Sequence, residues 1–266
     1  MTPLFQAVNL TKRFGGLTAV DSASLDVNVG EVIGLVGDNG AGKSTFIKMI
    51  AGVYQPDDGE LFFEGRPIPF AGPRATRDLG IETIYQDLAL AENLDVGANI
   101  FLGREIKNRY LGGTIKTLNR TKMREESAKV LSRLDIRIPS LTQQIRNLSG
   151  GQRQSVAIAR TIYWNAKMVI MDEPTAALGV TEQRKVLTLV RTLCDQGVPV
   201  IIISHNMQDV FAVADRIVVM RRGKKVGERF AKQSTPDEIV SLMVGAEAVH
   251  EMGVIPRAIN SAQEAA

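Results

Sequence analysis

Apolar and polar residues alternate in several short stretches of the chain, a pattern typical of half-buried β-strands. These stretches are 5–10, 23–27 and 81–85, and residues 61–65 are predicted to form another strand that ends in a turn. Unbroken apolar runs predict strands buried on both faces at 168–171 and 198–203. Further strands are expected at 32–36 and 216–220, and helices at 46–50, 73–79, 121–134, 151–162, 181–195, 207–214 and 236–244. The returning rhythm of strand and helix predicts an α/β fold.

The rhythm is interrupted between residues 88 and 164, where the strand pattern is lost and helical periodicity takes over. We interpret 88–164 as an inserted helical lobe, and expect its mixed middle, 104–119, to be its least ordered part. The flanking segments, 1–87 and 165–246, then form the core. The last residues, 247–266, have no clear apolar face and are expected to form a flexible tail.

Composition is ordinary for a soluble globular protein, with 44% hydrophobic and 23% charged residues in a chain of 266. The net charge of +3 comes without a clustered basic face, so we expect no nucleic-acid partner. The basic residues at 221–222 and 224–225 are predicted to flank a solvated turn between strands.

Neither a membrane-spanning apolar run nor a secretion signal is expected in this sequence, which predicts a cytosolic chain that reaches membranes only through a partner. The single cysteine, Cys194, excludes an intrachain disulfide and fits a reducing compartment. Its place in an apolar helical pattern favours a buried packing residue over a reactive thiol.

A phosphate-binding pattern separates the run at 32–36 from the following helix, and it reads Gly37-Asp38-Asn39-Gly40-Ala41-Gly42-Lys43-Ser44-Thr45. Glycines let the backbone wrap around a phosphate chain, and the N–H groups at a helix N-terminus bind its oxygens. Lys43 is expected to reach the β- and γ-phosphates, and the Ser44 hydroxyl to bind Mg²⁺. The alternative, a glycine-rich turn with a surface lysine, is disfavoured because the full pattern occurs in its required strand-to-helix context. The sequence thus predicts nucleoside triphosphate binding.

Two carboxylates, Asp172 and Glu173, end the buried strand at 168–171. In phosphate-loop enzymes the first acid of such a strand lies beside Mg²⁺, and an adjacent acid can accept a proton from the attacking water. Alternation along an extended chain points neighbouring side chains in different directions, so we assign Asp172 to the metal and Glu173 to the general base. The alternative is a pair of exposed acids at a strand end.

A second glycine-rich segment precedes the helix at 151–162, and it reads Leu148-Ser149-Gly150-Gly151-Gln152. It favours an anion site at the helix N-terminus, while Ser149 also fits an ordinary N-cap; both roles are compatible. Two such sites with one phosphate loop imply two chains facing head-to-tail, each loop capped by the other chain's helix. Phe14, upstream, either stacks on a nucleotide base or packs in the core, and spacing alone does not decide.

Together, the phosphate loop, the segment 148–152 and the Asp172–Glu173 strand resemble the ATP-binding-cassette (ABC) ATPases. The resemblance covers about residues 4–245. Further residues match in the order of that family: Gln86 the glutamine of its Q-loop, His205 its switch histidine, and Phe14 its adenine-stacking aromatic. For His205 the alternative is a structural histidine at a strand end.

The resemblance implies a P-loop NTPase core with an antiparallel β subdomain and an inserted α-helical subdomain. It implies ATP and Mg²⁺ as cofactors, with Gln86 joining Ser44 and Asp172 at the metal. Two cassettes would form a homodimer around two ATP molecules, and closure and hydrolysis would drive membrane permease subunits at the cytoplasmic face of the membrane. The transferring phosphoryl group would be stabilised by Lys43, Mg²⁺, His205 and the N–H groups of the partner chain's signature segment. The nucleotide would be contacted by the loop residues 37–45 and by the signature residues Ser149, Gly150, Gly151 and Gln152.

One departure from the family pattern follows the second carboxylate. Most cassettes have Ser-Ala-Leu-Asp there, whereas this chain has Ala176-Ala177-Leu178-Gly179, which lacks the aspartate. That segment normally couples the two ATP sites, so its loss puts this coupling in doubt. Gly179 also fits the end of a turn before the helix at 181.

Several stretches are similar to the monosaccharide-importer branch of the family: 37–42, 80–86, 93–105 and 173–179. The similarity implies a single-cassette importer ATPase that acts with a permease and, indirectly, with a periplasmic or extracellular sugar-binding protein. An importer of another solute, such as branched-chain amino acids, remains an alternative because 15–20 resembles that group too. A non-transport cassette is the third class, but the expected coiled coils, zinc insert or second cassette are not seen in the sequence. The sugar cannot be read from these residues.

Overall fold

The computed structural model describes residues 2–110 and 115–245. The strands within these ranges are β1 (Phe5–Phe14), β2 (Leu17–Val27), β3 (Val32–Val36), β4 (Asp58–Phe63), β5 (Arg66–Pro67), β6 (Ile81–Ile84), β7 (Lys107–Tyr110), β8 (Ile115–Leu118), β9 (Met168–Asp172), β10 (Val200–Ile203), β11 (Arg216–Arg221) and β12 (Lys224–Phe230). The helices are α1 (Lys43–Ile50), α2 (Pro73–Asp78), α3 (Val96–Ile100), α4 (Arg120–Arg133), α5 (Gly150–Tyr163), α6 (Val180–Asp195), α7 (Met207–Val213) and α8 (Pro236–Val244). The predicted tail, 247–266, lies outside the described residues.

A six-stranded sheet with the order β12-β11-β3-β10-β9-β6 forms the centre of the molecule. The five strands from β11 to β6 are parallel, and β12 joins antiparallel at the edge. Every residue of β3 and β10 is buried, which confirms the buried strands predicted at 32–36 and near 198–203. Because these strands are parallel, the segments that follow β3, β6, β9 and β10 emerge at the same edge of the sheet.

A second sheet, β2-β1-β4-β5, is antiparallel and packs with α1 against the central sheet. Its β1 is longer than predicted. The strand predicted at 5–10 continues to Phe14: Lys12 pairs with Val20 and Phe14 with Leu17, so the turn is confined to two glycines. β4 likewise begins at Asp58, before the strand predicted at 61–65. Strand segments at exposed edges contain many polar residues and show no hydrophobic alternation. For this reason the sequence pattern did not predict these extensions or β12.

The predicted lobe contains α3, α4 and α5, which share one apolar core with the central sheet and α6. The expectation that strands vanish here is wrong. β7 and β8 pair antiparallel as a hairpin within 104–119, the stretch expected to be least ordered, of which residues 111–114 are outside the described part. Residues 107–110 read Lys-Asn-Arg-Tyr, so backbone pairing rather than apolar periodicity defines this ribbon.

Other expectations are confirmed with small shifts of boundary. Cys194 is buried on α6, as predicted. The basic residues near 222 flank the turn between β11 and β12. None of the helices described here has both the length and the apolar character that a membrane crossing requires.

Candidate functional site

The phosphate loop joins the end of β3 to the start of α1. Two of its glycines, Gly37 and Gly42, are required by close backbone packing. A Cβ on Gly37 would lie 2.2 Å from the carbonyl oxygen of Met220, and one on Gly42 would lie 2.5 Å from that of Ala19. Gly42 also has φ 99°, a conformation that other residues rarely adopt. The sequence pattern therefore folds as the strand–loop–helix that it predicted.

Lys43 is the first residue of α1, and its side chain turns back over the loop. Its Nζ donates hydrogen bonds to the carbonyl oxygens of Gly37 at 2.6 Å and Asp38 at 2.9 Å. Burial lowers the pKa of Lys43, and this effect outweighs the opposing attraction of Glu173, Asp38 and Asp172. An ammonium group thus lies inside the loop, with carboxylates on its other side.

Asp172 is the last residue of β9 and is half-buried. Burial raises the pKa of its carboxyl group, and the neighbouring charge of Glu173 raises it further, while Lys43 and Lys48 act in the opposite direction. Two carboxylates held this close repel each other, and a cation placed between them and a phosphate chain relieves that repulsion. Ser44, on the adjoining turn of α1, is exposed.

Glu173 does not continue the strand. Its φ of 50° lies in the left-handed region, and its N–H donates to the carbonyl oxygen of Ile203 at 2.9 Å. The alternation argument for separating Asp172 from Glu173 therefore does not apply, because the chain turns at Glu173. A backbone strained in this way is frequent at functional positions, where the surrounding structure holds it in place.

His205 lies directly beside Glu173 at the end of β10. Its backbone N–H donates to Oε1 of Glu173 at 3.1 Å, and its Nδ1 lies 2.9 Å from Oε2. That second contact has the distance of an ion pair but not the alignment of a hydrogen bond, so Oε2 stays buried without a hydrogen-bond partner. The imidazole is 78% exposed, whereas the side chain of Glu173 is 18% exposed. An acceptor oxygen is therefore available to a proton donor.

Gln86 follows β6 and lines a cavity of about 360 Å³ together with Glu173. The structure thus brings the predicted residues that follow four parallel strands to one edge of the sheet: the phosphate loop after β3, Gln86 after β6, Asp172 and Glu173 at β9, and His205 after β10.

Most of the segment 148–152 lies apart from this group, although Gly150 lines the cavity of Gln86 and Glu173. Ser149 is the N-cap of α5: its Oγ accepts the N–H of Gln152, and the side chain of Gln152 accepts the N–H of Ser149. This reciprocal capping box confirms the N-cap interpretation. Ser149, Gly151 and Gln152 line a separate cavity of about 680 Å³ that borders α6. Gly150 faces the opposite way, since a Cβ there would lie 2.7 Å from Cδ2 of Leu178.

Phe14 ends β1 with its ring 43% exposed. The ring meets Tyr54 edge-to-face at a centroid distance of 5.4 Å, and Nζ of Lys12 lies 5.7 Å from its centroid. Phe14 is therefore not a core residue, and its stacking on a base stays a prediction.

Two features near Glu173 were missed from the sequence. Oγ1 of Thr175 donates to a carboxylate oxygen of Asp209 at 2.6 Å, which ties the loop after Glu173 to α7 after His205. No local signal identifies a pair 34 residues apart. Gln154, on α5, is 5% exposed. The sequence signal that identifies it is its spacing of four from Ile158, which places a polar residue on a buried helix face.

The turn at 176–179 lies between Glu173 and α6. Ala177 has φ 59°, again left-handed, whereas Gly179 is the N-cap of α6 with an ordinary φ of −69° and no capping side chain. Gly179, which stands where most members of the family have the aspartate, is therefore an N-cap. This agrees with the interpretation that Gly179 ends a turn before the helix.

Comparison with known proteins gives consistent matches. A family model described as ABC transporter matches residues 20–176, more than half of the chain. The chain is 50% identical to the xylose/arabinose import ATP-binding protein XylG of Sulfolobus acidocaldarius, over 91% of this chain and 94% of that protein. It is 46% identical to the fructose import ATP-binding protein FrcA of Rhizobium meliloti, over 92% and 95%. Ribose import ATP-binding protein RbsA 1 of Rubrobacter xylanophilus is 40% identical over 92% of this chain but 48% of its own length.

Solved structures match over nearly the whole chain. A nucleotide-free ATP-binding cassette from an ABC transporter gives a TM-score of 0.76 at 27% identity, covering 93% of this chain and 98% of that one. The ADP conformation of MJ1267, also a cassette of an ABC transporter, gives 0.77 at 26% identity, covering 96% and 100%. The predicted fold, an α/β P-loop cassette, is thereby confirmed. On its site residues, its sheet order and these matches, the chain belongs to the ABC transporter family, as an ATP-binding cassette.

Proposed function

We propose that this protein is the ATP-hydrolysing subunit of an importer for a monosaccharide. The main support is sequence identity of 50% and 46% to two relatives, which are named for import of xylose/arabinose and of fructose. Each match covers more than nine-tenths of this chain and of the relative. These names favour the sugar interpretation over import of amino acids or a non-transport role. The sugar-contacting surface would belong to a permease and to a sugar-binding protein outside the membrane, with this chain docked at the cytoplasmic face.

The phosphate loop supports the binding step. Backbone N–H groups of residues 37–45 and the N-terminus of α1 would hold the phosphates, with the Lys43 ammonium moving from the carbonyl oxygens of Gly37 and Asp38 to phosphate oxygens. The exposed ring of Phe14 would stack on the base.

The donor set near the loop fits Mg²⁺. Among the residues that the structure describes, no group of three or more His, Cys, Asp or Glu side chains could hold a metal alone. Mg²⁺ instead prefers one or two protein oxygens together with phosphates and water. Ser44 and Asp172 would hold the ion, with Gln86 as a further ligand, and the raised pKa of Asp172 reflects a carboxylate that gains from a nearby cation. The bound ion would neutralise charge on the triphosphate.

Glu173 supports the hydrolytic step. Its buried Oε2 has a free acceptor position and would take a proton from the water that attacks the γ-phosphate. His205 holds this carboxylate through its backbone N–H and would place its imidazole against the γ-phosphate. Because the imidazole is largely exposed, it can reach a ligand above the sheet edge.

Completion of the site would come from a second copy. Ser149 and Gly151 line a cavity separate from that of Glu173, so within one chain they do not face the same space. In the homodimer, the N–H groups at the start of α5 would bind the triphosphate held by the partner's phosphate loop. The lobe 88–164 would move against the core segments 1–87 and 165–246 as the two chains close.

Growth and hydrolysis test this proposal together. Deletion of the gene should abolish growth on one monosaccharide as the sole carbon source, and the wild-type gene should restore it. Lys43→Ala should not restore growth, and the purified variant should lose roughly 10- to 100-fold in ATP affinity, because a charged contact to phosphate is removed. Lys129→Ala is the matched control, since Lys129 lies on the surface of α4 and its Nζ pairs with Oε1 of Glu126 at 2.7 Å. Growth of the deletion strain on every sugar would contradict the sugar assignment, and unchanged ATP binding in Lys43→Ala would contradict the loop assignment.

A further inference from the structure

Two buried side-chain atoms make no aligned hydrogen bond in the described part of the chain: Nε2 of Gln154, and Oε2 of Glu173, which has Nδ1 of His205 2.9 Å away. One is a donor and the other an acceptor, and both residues line the same cavity of about 360 Å³. Buried polar groups are nearly always paired, so an orphan of this kind calls for a cause, commonly a bound water or a functional role. Because a donor and an acceptor line the same cavity, one bound group can satisfy both atoms.

Gln154 lies on the face of α5 that packs against the turn after Glu173. Gln154 lies one helical turn after Gly150, on the same face of the helix. That face packs closely on the turn after Glu173, since a Cβ on Gly150 would lie 2.7 Å from Cδ2 of Leu178. Ser149, at the start of α5, lines the other cavity. The N-terminus of α5 thus belongs to the proposed second anion site, whereas the buried amide of Gln154, one turn later, lines the cavity of Glu173 in the same chain.

The shared cavity can hold ordered water. A water molecule occupies about 30 Å³ and needs two to four polar partners, and the cavity exceeds that volume about tenfold. Gln86, Asp87 and Arg153 also line it and supply further polar groups. Filling by an apolar group would leave Nε2 of Gln154 unpaired, at a cost comparable to one lost hydrogen bond.

We propose that Gln154 is a positioning residue for Glu173, acting through ordered water in this cavity. Nε2 donates to a water, and that water donates to Oε2 of Glu173, directly or through one more water. This arrangement holds the carboxylate in place in a segment whose backbone is strained at Glu173 and Ala177. It also connects the start of α5 to the base without the aspartate that Gly179 replaces. The proposal rests on the proposed function, because it assumes that Glu173 is the general base.

Gln154→Met tests the proposal, because methionine has a similar shape but cannot donate. The kcat of ATP hydrolysis by the full chain should fall about tenfold, the effect of losing one hydrogen bond to a charged group, while the KM for ATP changes less than about twofold. Gln154→Asn, which keeps a donor that one more water can bridge, should restore most of kcat. Gln144→Met is the matched control, since Gln144 lies in the same lobe and its Nε2 donates instead to the carbonyl oxygen of Asn93 at 3.1 Å.

A crystal structure of the wild-type chain at high resolution gives the direct test, and density is expected for one water, or a chain of two, that joins Nε2 of Gln154 to Oε2 of Glu173. A dry cavity, a normal kcat in Gln154→Met, or equal losses in the Gln154 and Gln144 variants would overturn the proposal. If Gln154→Met fails to fold, the Asn variant and the wild-type crystal structure decide. Persistent hydrolysis in Glu173→Gln would instead refute the proposed role of Glu173, and so separates the two failures.

Discussion

Two glycine-rich helix N-termini of this chain have similar sequences but different surroundings. The start of α1 faces the carboxylates at the end of β9, and the histidine that follows β10 lies beside one of them. The start of α5 faces a cavity bordered by the loop at 134–138 and by α6. Glycine and a helix dipole are common to both, so they do not explain the difference.

What differs is the completeness of each site within one chain. At α1, Lys43 is already held over the loop, and acidic groups lie close enough to influence its pKa. At α5, Ser149 satisfies its own helix through the capping box, and its charged neighbours include Glu182 and Lys185 on α6. The first site has its charged groups within one chain, whereas the second is a capped helix N-terminus that we propose binds a ligand held by another chain. This contrast explains why a cassette would work as a pair.

Removing the base should give the largest effect on the α1 side of this comparison. Glu173→Gln keeps the shape of the side chain but loses the proton acceptor, so kcat should fall roughly 10²- to 10⁴-fold while ATP still binds. Turnover is measured by phosphate release and binding by equilibrium titration. The same variant should accumulate an ATP-dependent dimer in light scattering, measured with the permease present as well. Unchanged hydrolysis would remove Glu173 from the role of base.

Separating the cap from the anion site at α5 should give an intermediate effect. Ser149→Ala loses the N-cap and should lower the free energy of unfolding by about 1 kcal/mol, measured by denaturant titration. Ser149→Asp keeps a good cap and should leave stability near wild type, but it places a negative charge where the partner's triphosphate is proposed to bind. Its ATP hydrolysis should therefore fall at least as far as that of the alanine variant. If Ser149→Asp hydrolyses ATP at the wild-type rate, Ser149 is only a cap.

Restoring the family aspartate should give the smallest effect on the fold. Gly179 is an N-cap with open space around its Cβ position, so Gly179→Asp should add a capping oxygen and raise the free energy of unfolding by a few tenths of a kcal/mol. Cooperativity of hydrolysis with ATP concentration is the second measurement, because the family aspartate normally couples the two sites. A loss of stability would show that Gly179 does not act as an N-cap in solution.

Much of the site was predictable because its motifs are local. The loop at 37–45 is defined by glycine spacing between a buried strand and a helix, and the structure forms it as expected. The capping box needs only Ser149 and Gln152 three residues apart, and it too is present. The predicted family is confirmed by the comparisons. In contrast, the roles of Gln86, Phe14 and His205 came from the resemblance and stay predictions.

The missed features are those that depend on distant partners or on the backbone alone. The β7–β8 hairpin and the extension of β1 show no hydrophobic alternation in the sequence, and main-chain pairing defines them. The turn of the chain at Glu173 was hidden because strand alternation was assumed to continue through it.

By itself, the sequence determined most strands and helices of the core, the phosphate loop, the capped helix at 150 and the family, because each depends on spacing within one segment. Tertiary structure alone decided that Glu173 meets His205, that Thr175 meets Asp209, and that Gln154 shares a cavity with Glu173. Those neighbours are fixed by the register of a parallel sheet and by the packing of α5 on the turn after β9. Contacts between residues far apart in the chain depend on how whole elements pack, which no single stretch of sequence encodes.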